Sequence, residues 1–294
     1  MKALVITEGT EAARELSAGA RLMADEVVLV SFSDAPGNVA DKVAKVSVPE
    51  GFVLDDAADT VISVFASERP GVVLVEPTRR LKAVAGRLAA HAGTAVVTDA
   101  TGFSDEGAKS LYFGGVAERV QKPAGDVAVY TVPAGVFDGS DATGAGVEEE
   151  VAWVAPANPL KLVSSRPLQR SGVDLGKADA VVAAGRGFTE ESQLDLARAL
   201  CEKLGAGLGC SRPLTEGVDW LPTETYIGVS GLMISPKVYV ACGISGQMQH
   251  MVGCNRSNTV FAINKDKNAA VFKQCDYGLV GDIKEVLPAL TAAL

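Results

Sequence analysis

The chain has 294 residues, 48% of them hydrophobic and 21% charged, which is enough for two domains with packed cores and too apolar for a disordered polypeptide. A formal net charge of -9 excludes nucleic acid as the expected partner, because that role needs a basic face. No run of eighteen apolar residues offers a membrane-spanning helix, and the N-terminus lacks the apolar run and cleavage site of a signal peptide, so the cytoplasm is the expected compartment.

Residues 2–7 read as a short apolar strand. Residues 11–24 carry helical spacing through Ala12, Leu16, Ala20 and Met23, and 27–30 form a second strand. Residues 60–67 read as helix, 71–75 as strand, 78–92 as a basic, alanine-rich helix with Thr78 at its N-cap, and 94–97 as strand. Strands that alternate with helices imply a largely parallel sheet covered on both faces. Residues 112–120 and 126–133 read as strands at its edge. Arg79, Arg80 and Arg87 read as a solvated helix face, with a nucleotide or partner contact as the alternative.

Between about residues 137 and 173 the composition shifts. A glycine-rich loop at 139–146, the acidic run Glu148-Glu149-Glu150, an extra strand at 151–155, and Pro156, Pro159 and Pro167 together read as an interdomain connection. Arg166 and Arg170 read as solvated arginines, with a partner contact as the alternative. The expected domains are therefore 1–165 and 174–294.

The second domain opens with a strand at 178–184, broken by Gly185-Arg186-Gly187. Thr189, with Glu190 and Glu191 behind it, is expected to start a helix whose buried stripe is Leu194, Ala197, Leu200 and Leu204. Arg186 thus sits on a glycine turn, where it meets either an anion or a surface ion partner. Ser211-Arg212 and Gly228-Val229-Ser230-Gly231 follow in loops. Residues 238–242 form a buried strand, after which Gly243 and Gly246 let the backbone turn sharply and approach a ligand. Ser245, Gln247, Gln249 and His250 follow at once and open a helix, and 260–263 form a strand ending on Asn264. This is a βαβ unit with its polar residues at the strands' carboxyl ends, where open α/β sheets bind ligands. It lacks G-x-G-x-x-G, so the dinucleotide fingerprint does not apply. The chain closes on a helix with capping-box spacing from Asp282 to Glu285 and an apolar side of Val286, Leu287, Leu290 and Leu294. The five cysteines form no C-x-x-C pair, and with two histidines in the chain they read as buried reduced thiols rather than a metal site.

Taken singly these are turns and strand ends. Their series is more specific: Gly185-Arg186-Gly187, Ser211-Arg212, Gly228-Val229-Ser230-Gly231, Gly243-Ile244-Ser245-Gly246 running on to Gln249-His250, Ile263-Asn264-Lys265-Asp266, then Asp276-Tyr277-Gly278. In that order the series resembles the electron-transfer flavoprotein alpha subunit, most closely its bacterial FixB-like branch. Met248 departs from the family's usual Ile or Val, a swap that conserves volume.

The resemblance implies two α/β domains, each a mostly parallel sheet with helices on both faces, the second a Rossmann-like FAD-binding domain. It places Arg186 and Ser211 on FAD, and Arg212 against the flavin ring, where a permanent cation favours the reduced anionic form. Ser230 matches a hydroxyl near flavin N5 that relatives often supply from Thr. Gly228 and Val229 complete that wall, with Val229 apolar where some relatives carry Gln. Ser245, Gly246, Gln247, Met248 and Gln249 would line the cofactor, and His250 would approach the O2 carbonyl. Asn264, Asp276 and Tyr277 would hold the ribose and adenine end, with Lys265, Asp266 and Lys267 shaping that loop.

By the same resemblance the first domain contacts a beta subunit that binds AMP or a second FAD. The pair would carry electrons from a dehydrogenase, such as an acyl-CoA dehydrogenase, or from NADH to a quinone reductase or other reductase. It would act as a carrier rather than alter a substrate, and electron bifurcation stays open. The alternatives are an NAD-binding α/β enzyme, opposed by the missing fingerprint, and a non-catalytic nucleotide-binding module, opposed by the density of polar strand ends.

Overall fold

A computed structural model describes residues 1–34, 37–164 and 173–294; Arg166, Pro167 and Arg170 lie outside the described residues. By contact the chain divides into two units, Met1–Tyr112 with Ala117–Pro167, and Phe113–Val116 with Leu168–Leu294. The first contains β1 (Lys2–Thr7), α1 (Thr10–Arg21), β2 (Glu26–Ser31), β3 (Lys42–Lys45), α2 (Ala58–Glu68), β4 (Val72–Val75), α3 (Arg79–His91), β5 (Val96–Val97), β6 (Ala100–Ser104), β7 (Gly107–Tyr112), β8 (Ala117–Gln121), β9 (Ala128–Thr131) and β10 (Val147–Glu150). Its main sheet is parallel throughout, in the order β10-β3-β2-β1-β4-β9-β5.

The central strands are apolar at almost every position because both faces are covered. Strand alternation sends Ala3, Val5, Leu29 and Leu74 to one face with Ala13 and Leu16 of α1. Leu4, Ile6, Val30 and Val75 go to the other face with Val61 of α2 and Leu81 of α3. Thr78 caps α3 as its position suggests, its side chain accepting from Leu81 N at 3.1 Å.

Three local expectations change. Residues 112–120 are not one strand of the main sheet. They hold the end of β7, a turn and the start of β8, which with β6 make a separate antiparallel sheet. Strand β9 is interior, lying between β4 and β5, because β5 is the short edge. The extra strand falls on the acidic run as β10, not on 151–155. It pairs in parallel with β3, and its carboxylates meet lysines there: Lys45–Glu148 at 2.8 Å and Lys42–Glu149 at 2.5 Å. Residues 151–155 instead lie along the unit's surface, where Val154 N donates to Thr60 Oγ1 at 2.9 Å and Trp153 packs on Phe52.

The second unit contains β11 (Ala180–Ala184), α4 (Leu194–Leu204), β12 (Gly207–Cys210), α5 (Pro213–Glu216), β13 (Val238–Cys242), α6 (Met248–Met251), β14 (Thr259–Asn264), β15 (Tyr277–Val280) and α7 (Ile283–Ala293). Its sheet is parallel, in the order β12-β11-β13-β14-β15. Val182, Val240 and Ile263 face α4 and α7 through Leu194, Leu200 and Leu287, whereas Val181, Tyr239 and Val260 face Met251 of α6. Thr189 does not cap α4 directly. A 3-10 turn at Glu191–Gln193 intervenes, and Thr189 exchanges two 3.0 Å hydrogen bonds with the side chain of Gln193. Asp282 caps α7 through Lys284 N at 2.9 Å.

The architecture is thus α/β, with parallel sheets flanked by helices in both units. Among the described residues no helix is long and apolar enough to cross a membrane, and no cluster of three or more His, Cys, Asp or Glu could hold a metal ion.

Candidate functional site

In the second sheet the strand order reverses between β11 and β13, since the chain goes outward to β12 and then returns across β11. Doubly wound sheets bind ligands at such a reversal, outside the carboxyl ends of the strands. Segments leaving the carboxyl ends of all five strands line one cavity of about 1140 Å³ there. That is at or above the top of the roughly 300–1,000 Å³ range of small-molecule sites, which suits a large, elongated ligand.

Two glycine turns shape it. Gly243 leaves β13 at φ 63, and a Cβ on it would lie 2.7 Å from Gly187 Cα, where the turn after β11 passes. Gly187 N donates to Gly243 O at 2.9 Å, so the two turns lock together at the reversal point. Gly246 sits at φ 81, and a Cβ there would meet Val271 N at 2.1 Å. Only residues without a side chain pass both points.

Helix α6 follows and carries His250 into the wall, 6% exposed. Its Nε2 is 2.7 Å from the hydroxyl of Tyr239. Its Nδ1 is fully buried, with the Ile227 backbone near the ring. Burial lowers the histidine pKa from 6.5 to about 4, with the Ile227 backbone opposing, so the ring is neutral at pH 7.

Arg212 caps the short helix α5 at the cavity edge. Its Nε donates to Glu216 Oε2 at 2.6 Å, with both side chains about half exposed. That carboxylate raises the guanidinium pKa above its ordinary value. Arg186 also lines the cavity, exposed on the turn after β11. Ser211 and Ser245 bring hydroxyls from the turns after β12 and β13. Ser230 lies 3.3 Å from the hydroxyl of buried Tyr226, and Val229 N donates to Gln249 O at 2.8 Å, tying that loop to α6. The Gln249 and Gln247 side chains bond each other at 2.8 Å.

Asn264 lines the cavity, but its amide is committed within the protein. Nδ2 donates to Ile244 O at 2.9 Å and Oδ1 accepts from Asp266 N at 3.0 Å, so it braces two loops. Gly228, Gly246, Met248, Asp276 and Tyr277 do not line the cavity. Gly228 is buried behind Val229 and Ser230, and Gly246 beneath the turn. Met248 is 37% exposed at the start of α6. Asp276 accepts from Val260 N at 2.8 Å, which fixes β14, and Tyr277 opens the edge strand β15, 64% exposed.

Sequence reasoning passed over Glu216, Tyr226 and the Asp282-Ile283 start of α7 as wall residues, and Tyr239 as the partner of His250. Only Tyr226 carried a local signal, as an aromatic just ahead of the Gly-x-Ser-Gly loop. All five cysteines are free thiols, and burial pushes those of Cys201 and Cys210 up to about 11 and that of Cys254 to about 12.

The donor set suits a ligand with a pyrophosphate and a polar aromatic ring. It offers guanidinium groups, three serine hydroxyls, and glycine turns that admit close approach.

Comparison with known proteins agrees. Residues 174–255 match the electron transfer flavoprotein FAD-binding domain, and residues 4–158 match the electron transfer flavoprotein domain. The chain is similar to Protein FixB of Escherichia coli O127:H6 (strain E2348/69 / EPEC), 40% identical over 293 residues, covering 95% of this chain and 94% of that one. Protein FixB of Shigella dysenteriae serotype 1 (strain Sd197) is likewise 40% identical, with the same 95% and 94% coverage.

Proposed function

The chain belongs to the electron-transfer flavoprotein alpha family, in its FixB type, and on that premise we propose that its FAD occupies the cavity at the carboxyl ends of the second sheet. The observation that carries this reading is one large cavity lined by Arg186, Ser211, Arg212, Ser230, Ser245 and His250 at the strands' carboxyl ends, within the unit whose sequence matches the FAD-binding domain. When bound, the flavin supplies reversible uptake and release of electrons, while the protein sets its position and electronics.

The chain's own residues divide that work. Arg186, Ser211 and Ser245 offer charge and hydroxyl donors suited to the pyrophosphate. Arg212 brings a permanent cation to the ring, and Glu216 offsets part of that charge. Ser230 and His250 supply polar contacts to the ring edge, and Val229 leaves one position apolar. Asn264 braces the walls that Ser245, Gln247 and Gln249 line, Gly228 and Gly246 act from behind them, and Met248 stays exposed at the start of α6. Asp276 and Tyr277 would serve the adenine end only from outside the cavity as it stands.

The protein is an electron carrier that works with a beta subunit. We place the partner contact on residues 1–165 and the flavin on 174–294. The beta subunit is expected to hold AMP or a second FAD. Electrons would arrive from a dehydrogenase of the acyl-CoA type or from NADH, and leave to a quinone reductase or another reductase.

Ser245→Trp tests the site, because Ser245 is exposed in the cavity and an indole there competes for the space. The variant complex should keep its circular dichroism and lose its flavin absorbance. A variant as yellow as the wild type would move the flavin out of this cavity.

A further inference from the structure

The loop at 226–232 is closed on itself. Gly231 N donates to Gly228 O at 2.9 Å, Gly228 N to Leu232 O at 3.0 Å, and Leu232 N to Tyr226 O at 2.8 Å. The first of these is the bond of a β-turn, which sets Val229 and Ser230 at its tip, both exposed and both in the cavity wall.

The ring of Tyr226 fills the space that the turn's two glycines leave. A Cβ on Gly228 would lie 2.6 Å from the Tyr226 hydroxyl oxygen, and one on Gly231 would lie 2.5 Å from its Cδ1. Gly228 also has φ 150, a conformation that residues with side chains avoid. Only 4% of Tyr226 is exposed, so its hydroxyl needs a partner inside the protein. Ser230 Oγ stands 3.3 Å away.

Either oxygen could donate in that pair, and the charge nearby decides which. Arg212 comes close enough to the phenol for the two to act on each other electrostatically. A permanent cation draws the phenol oxygen's lone pairs toward itself and turns the O–H away. The phenol therefore donates to Ser230, and the serine keeps its own proton for a group in the cavity.

We propose that Tyr226 is a positioning residue for the flavin: its ring carries the 228–231 turn and its hydroxyl donates to Ser230 Oγ, so that the Ser230 hydroxyl is aimed as a donor into the cavity. This deepens the reading of the cavity as the FAD site and rests on it. A serine hydroxyl on an exposed turn otherwise rotates freely and is shared with water. Held from behind, it meets the ring edge already oriented, and a donor there favours the more electron-rich, reduced form of the ring.

The test is a double-mutant cycle on the heterodimer: Tyr226→Phe, Ser230→Ala and the two together. Two quantities are read, the FAD dissociation constant of the flavin-free complex and the midpoint potential of the loaded one. Phenylalanine keeps the ring under the turn and removes only the hydroxyl, so a merely structural tyrosine would leave both unchanged. Each single variant should weaken FAD binding by about 2- to 10-fold and lower the midpoint, and the double variant should be no worse than Ser230→Ala alone. Tyr226→Phe with wild-type values overturns the proposal, and so does a double variant whose losses are the sum of the two singles. Ser230→Ala with both values unmoved would instead overturn the turn's place at the flavin, and the reading of the site with it. Should Tyr226→Phe fail to assemble, the wild-type FAD complex decides. A phenol oxygen within about 3.5 Å of Ser230 Oγ, with that hydroxyl on the flavin, supports the proposal, and a phenol turned away from the serine overturns it.

Discussion

His250 makes the protein sensitive to acid in a way that can be isolated. The folded chain holds the ring neutral down to about pH 4, whereas the exposed ring of the unfolded chain takes up a proton below 6.5. The folded pKa is depressed, so the stability linked to this group is complete above pH 6.5 and is lost as the pH falls toward 4. One pKa unit is worth about 1.4 kcal/mol, so this ring should cost about 2 kcal/mol between pH 7 and pH 5 and about 3 kcal/mol over the whole interval. Urea unfolding of the flavin-free protein and of His250→Gln at pH 7, 6 and 5 separates this from the carboxylates, which titrate in both. The wild type's advantage over the variant should shrink by about 2 kcal/mol across that range. Parallel stability–pH curves for the two proteins would refute the reasoning, because His250 would then be free to charge in the fold.

Gly246→Ala should destabilise the second unit by about 2–5 kcal/mol in urea unfolding, because left-handed backbone costs about 1–2 kcal/mol for alanine and overpacking about 1–3 more. The new Cβ would sit 2.1 Å from Val271 N and push apart the 3.1 Å bond from Val271 N to Ser245 O; a loss below about 0.5 kcal/mol would contradict that geometry. Arg212→Ala should lower the midpoint potential of bound FAD in a reductive titration, and Glu216→Gln should raise it, because that carboxylate offsets the guanidinium. Shifts of the same sign would sink the pairing argument. Thiol labelling of the native protein at pH 8 should reach Cys275 first, because the other four cysteines are buried. Stability should also fall as the pH rises from about 9, where unfolded thiols ionise while the folded Cys201, Cys210 and Cys254 keep their protons to about 11–12. A flat alkaline stability curve would count against that burial.

The legible parts of the fold were those set by local pattern. The apolar runs at β1, β2 and β4 and the glycine turn after β13 have signatures a few residues long, and the structure places them within a residue or two. What sequence missed depends on partners far along the chain. Strand β10 reads as a charged surface run until Lys42 and Lys45, a hundred residues earlier, stand beside it. Strand β9 looked like an edge because nothing local reveals that β5 lies outside it. In the site, the family series placed Arg186, Ser211, Arg212, Ser230 and His250 around one cavity without any coordinates. It could not show that Asn264 spends its amide on Ile244 and Asp266, or that Asp276 is used to fix β14. Nor could it pair Tyr239 with His250, since that contact exists only once Gly243 and Gly246 have folded α6 back over the strand.

The location of the flavin is tested most directly by a crystal structure of the FAD-loaded complex with its beta subunit. The isoalloxazine should lie in the cavity beyond β11 and β13, beside Arg212, Ser230 and His250. A flavin bound elsewhere, with this cavity empty, would contradict the account.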